Sequence, residues 1–100
     1  MYRQGDVLLI PVNKVPDDKK AVERVDGRLI LAEGEATGHA HAISNQHASM
    51  YATAIGVFLM LEKAAELLHE EHGKIDLPVG NYQVIRQREY DPVKERLVRD

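Results

Sequence analysis

LEKAAELLHEEHG, Leu61 to Gly73, is the stretch on which the fold turns. Ala, Glu, Leu and Lys fill it, and Gly73 stands where a helix C-cap belongs. Leu61, Ala64, Ala65 and Leu68 fall at i, i+3, i+4 and i+7, the spacing of an apolar helical stripe. Local preference therefore predicts a short helix over 62–72. The competing reading is that a small β-rich fold overrides that preference and draws the segment into sheet.

Strand signals lie on both sides of it. GDVLLIPVN, Gly5 to Asn13, is a short apolar run between turn residues, and Pro11 places it at a sheet edge or at a break in the ladder. VPDDKK, Val15 to Lys20, reads as a solvated turn. RLILAEG, Arg28 to Gly34, is entered from the turn pair Asp26-Gly27, and HAHAI opens a third strand after Gly38. MYATAIGVFLML, Met50 to Leu61, is apolar throughout, and Gly56 makes it a hairpin or a bulged strand. Pro78 to Gly80 turn the chain into a strand from Tyr82 to about Tyr90, and DPVKERLVRD adds a turn and one further short strand. These elements predict a mainly β fold with one short helix, a small antiparallel barrel or roll, as a single domain over 1–100.

The histidines are gathered. His39, His41 and His47 lie in TGHAHAISNQH and the other two, His69 and His72, in LHEEHG. On a strand, His39 and His41 leave the same face, a spacing that suits two ligands of one ion. On a helix, His69 and His72 share a stripe with Glu66. His39, His41, His69 and His72 are therefore the candidate metal ligands, and His47 is expected to be an exposed loop residue. Without cysteine the ligands are nitrogen and oxygen, and imidazole-rich ligation points first to a divalent zinc ion, with iron, manganese, nickel and copper open. With three protein ligands a bound water becomes a nucleophile, and Glu70 or Glu71 is the candidate catalytic base. With four the shell closes and the site stabilises the fold.

The bland alternative is that His69 and His72 face the carboxyl end of a helix for its dipole and that the histidines are unrelated. HEEH is neither of the zinc-protease patterns, because glutamates fill both middle places. A second functional reading is a non-enzymatic interaction module or homo-oligomer, in which Arg86, Arg88 and Tyr90 on the last strand meet a partner.

Composition narrows the field. Thirteen Lys and Arg against sixteen Asp and Glu leave a net charge of −3 with the signs interleaved, so no concentrated positive field for nucleic acid is expected. The polar MYRQGD start lacks the layout of a signal peptide, and no apolar run reaches a membrane span, so a cytoplasmic protein with no membrane role is expected.

Two resemblances follow from these motifs. Gly38, His39 and His41, with Gly73, Pro78 and Gly80 later, resemble the two metal-binding motifs of cupins, which implies a jelly roll and a metal. The glutamate that family places after its H-x-H, and its last histidine, have no counterpart here. The whole chain, through QGDVLL, TGHAH and HEEHG…LP-x-G-x-Y-x-V-x-x-QREY, is similar to a group of small uncharacterised bacterial proteins.

Overall fold

In the computed structural model, residues 1–33 and 39–87 are described. They form ten strands and no helix: β1 Tyr2–Gln4, β2 Val7–Val12, β3 Lys20–Ala21, β4 Leu29–Glu33, β5 Ala40–Ile43, β6 Ala48–Thr53, β7 Gly56–Leu61, β8 Ala65–Leu67, β9 Ile75–Leu77 and β10 Gly80–Arg86. Six make one antiparallel sheet in the order β1-β2-β10-β7-β6-β3, and β4-β5 and β8-β9 form two-stranded ribbons. The fold is mainly β, as its apolar runs predict, but the large sheet is open and does not close into a barrel.

The expected helix is absent. Ala65, Glu66 and Leu67 alternate buried, exposed, buried, and pair with Leu77, Asp76 and Ile75. Leu68, which the helical stripe would bury, is 41% exposed, while Leu67 is 1% exposed. The segment is too short to sustain a helix by propensity alone, and pairing with two other parts of the chain supplies what that helix would lack.

Turn chemistry sets the hairpins. Gly5 and Asp6 join β1 to β2 as a two-residue loop, with Gly5 first and at φ +58°. Asp26 and Gly27 both have positive φ, and Val25 and Arg28 exchange backbone hydrogen bonds across them. Thr53 and Gly56 face each other where β6 turns into β7, so the Met50 to Leu61 run is a hairpin. Pro11 lies in β2, whose pairing to β1 stops at Leu9, so the strand is an edge on that side at the proline.

Leu9, Leu29, Ile43, Leu59, Leu67, Leu77 and Val7 are the largest fully buried side chains. They belong to one apolar cluster that draws on β2 and β7 of the large sheet and on both ribbons, so the ribbons close over one face of the sheet. Fixing them there brings the start of β5 and the turn after β8 up to the β1–β2 hairpin. No described helix is long and apolar enough to cross a membrane.

Candidate metal centre

An isolated antiparallel bridge joins Ala42 to Leu68, with both backbone hydrogen bonds at 2.9 Å. Followed outward along both chains, its register sets His41 opposite His69, Ala40 opposite Glu70, and His39 opposite Glu71. All three pairs touch. The His41 and His69 ring centroids are 4.3 Å apart, the Ala40 N–H donates to Glu70 Oε1 at 2.9 Å, and His39 Nδ1 lies 2.6 Å from Glu71 Oε1.

The four candidate imidazoles thus stack into one group. His39 meets His69 edge to face at 5.7 Å, His69 meets His72 at 4.6 Å, and His72 lies nearly parallel to His41 at 5.8 Å. His47 stands apart, exposed in the loop before β6. The ring contacts run from edge-to-face to nearly parallel. The ligating atoms of His39, His69 and Glu70 do lie within 4.8 Å of one another.

Hydrogen bonds fix which nitrogen carries the proton. The Glu71 carboxylate oxygen accepts, so His39 donates from Nδ1. Gln4 Nε2 donates to the carbonyls of Leu67 at 2.9 Å and Gly73 at 3.0 Å, which leaves Gln4 Oε1 as an acceptor. His41 Nδ1, 2.8 Å from that oxygen, is therefore the donor. His69 has the opposite arrangement: its Nδ1 accepts the backbone N–H groups of Glu71 and His72 at 3.0 and 3.3 Å.

His41 is 4% exposed, and Asp6 Oδ1 lies 3.3 Å from its Nε2. Burial, then the neighbouring His69, hold its pKa below the ordinary value; Asp6 opposes that shift, and His72 adds to it. Burial raises the Asp6 carboxyl, but the hydrogen bond from Arg86 Nε to Oδ2 at 3.2 Å and the attached charge outweigh it and keep the group below the usual range. The Ala40 N–H likewise lowers the pKa of Glu70. Glu70 and Glu71 both already accept hydrogen bonds, from the Ala40 N–H and from His39 Nδ1.

Over its described residues the last strand is paired on both sides. β10 is flanked by β2 and β7, and Arg86 directs its guanidinium to Asp6 and to the carbonyl of Glu33. Arg88 and Tyr90 lie outside the described residues.

A family model, Domain of unknown function (DUF8820), matches residues 3–87. The chain belongs to this family. No curated protein matches it, and no solved structure does. The family match agrees with the likeness to small uncharacterised proteins, and nothing in it ties the chain to the cupins. The matched span takes in the hairpin turn that supplies Gln4, Gly5 and Asp6, side chains and backbone that sequence reading did not connect to the histidines. Gly5-Asp6 is legible as a turn pair, but nothing local marks Gln4 as buried.

Proposed function

We propose that this domain binds a divalent cation, zinc first among them, through His39, His69 and Glu70, within the group of rings that also holds His41 and His72. One observation carries the reading. The ligating atoms of His39, His69 and Glu70 lie within 4.8 Å of one another, and His39 is oriented through Nδ1 by the Glu71 carboxylate. That is how metal-binding imidazoles are oriented by their outer partners. Glu70, ionised and anchored on the Ala40 N–H, supplies a carboxylate oxygen beside them. His69 fits less readily: coordination through Nδ1 displaces the two backbone N–H groups it now accepts. The reading is binding in a structural or sensory capacity, with both glutamates already engaged as acceptors.

The test is a zinc titration of untagged, chelator-treated protein, followed by calorimetry and elemental analysis. Saturable binding is expected, with His39→Ala and Glu70→Gln each weakening it at least about tenfold. Zinc at 100 times its Kd should stabilise the fold by about 2.7 kcal/mol. Absence of saturable binding, or binding indifferent to both substitutions, would overturn the reading.

A further inference from the structure

One side chain of the N-terminal strand holds the turn that carries two of the three proposed ligands. Gln4 Nε2 donates to the Leu67 carbonyl at 2.9 Å and to the Gly73 carbonyl at 3.0 Å, and His69 and Glu70 lie between those two points of the chain. Gln4 is 2% exposed, so water does not stand ready to replace either bond. The hairpin turn meets the same segment a second time: the His72 ring lies against Gly5, where a Cβ would come within 2.6 Å of Nε2. β1 itself is short and at the edge of the sheet. It pairs three residues with β2, and its further anchors are Tyr2 against the Tyr82 ring, Arg3 on Gln87 and the Gln4 amide. Elements of that kind open before the fold as a whole does. When β1 lifts from β2, Gln4 leaves with it, and the Leu67 and Gly73 carbonyls lose their donor.

We infer that Gln4 is a positioning residue of the metal site, and that through it the docking of β1 and the binding of the ion stabilise each other. This rests on the metal-binding reading above and gives its sensory form an output: the ion sets how often β1 leaves the edge of β2 at Val7, Leu8 and Leu9. The link is thermodynamic. If release of β1 frees the 67–73 turn and weakens the ion by some factor, the bound ion makes that release rarer by the same factor. A partner that orients ligands from outside the coordination shell is worth about 10–100-fold in affinity, so a saturating ion suppresses the opening by about as much.

Amide hydrogen exchange, read residue by residue by NMR on the chelated full chain and again at saturating zinc, tests this. The Gln4 and Val7 amides face each other across the β1–β2 pairing, and zinc should slow their exchange by about 10–100-fold. The Ile55 amide, in the turn between β6 and β7, should stay within about twofold as a reference. Gln4→Leu should speed exchange of the β1–β2 amides without zinc and cut the zinc effect on them to under about threefold. A merely structural Gln4 would raise exchange by the same factor with and without zinc. Zinc binding that leaves the Gln4 and Val7 amides of the unaltered chain unchanged overturns the link while leaving the His39, His69 and Glu70 reading intact, and so does a zinc effect that survives whole in Gln4→Leu. If that variant fails to fold, the measurement on the unaltered chain decides alone. No saturable binding to the unaltered chain sinks both.

Discussion

Nδ1 of His41 lies 2.8 Å from Oε1 of Gln4, and both residues are buried. The amide satisfies three groups at once: two carbonyls of the 67–73 segment through its nitrogen and the imidazole through its oxygen. It thereby links the N-terminal hairpin to both histidine segments.

Gln4→Leu keeps the volume and removes every one of those bonds. Leaving buried partners unsatisfied should cost about 2–4 kcal/mol in urea unfolding. It should also weaken zinc binding about 10–100-fold, because Gln4 ties down the Leu67 and Gly73 carbonyls on either side of His69 and Glu70. A loss of stability below about 0.5 kcal/mol would show that water replaces the amide without penalty.

Gly5→Ala separates backbone strain from steric conflict. Its φ of +58° costs an alanine about 1–2 kcal/mol, whereas the clash with the tip of His72 can be relieved by moving an exposed side chain. The same loss is therefore expected in a His72→Ala background, and Gly5→Asn should cost less than Gly5→Ala. If His72→Ala restores most of the stability, the collision is the larger effect.

Leu67 and Leu68 tell strand from helix by thermal or chemical melting. Leu67→Ala should cost about 2–4 kcal/mol, because the side chain is 1% exposed in the core; Leu68→Ala should cost under about 1 kcal/mol. The reverse order would restore the helical stripe.

Tyr82 gives a pH signature away from the histidines. Burial, with Tyr2 alongside, raises its phenol above 10.0, and its hydroxyl donates to the Pro78 carbonyl at 2.7 Å. The unfolded chain therefore loses this proton first, so the stabilisation is fully present below pH 10.0 and is lost as pH rises through the raised folded value. Tyr82→Phe should flatten the alkaline limb of a stability–pH curve and cost about 1 kcal/mol at neutral pH. An alkaline limb unchanged by the substitution would remove Tyr82 as its source.

What the sequence determined by itself is what depends on neighbours along the chain. The apolar runs of β2, β4 and β7, the Asp26-Gly27 and Gly5-Asp6 turns, and the Gly56 hairpin all follow from side-chain period and from φ angles that few residues adopt. The gathering of imidazoles and the lack of thiolates likewise set the chemistry any ligand would meet. Tertiary structure alone decided that 65–67 is strand, because the partners that override helical preference, Ile75–Leu77 and Ala42, lie beyond the reach of local pattern. It also decided the site: one bridge between Ala42 and Leu68 brings His41, Ala40 and His39 to His69, Glu70 and Glu71. Gln4 reaches the histidine segments only across long stretches of chain, with sequence separations of 37 to His41 and 63 to Leu67. Composition limits which residues can do chemistry, but contacts between distant segments choose which of them meet.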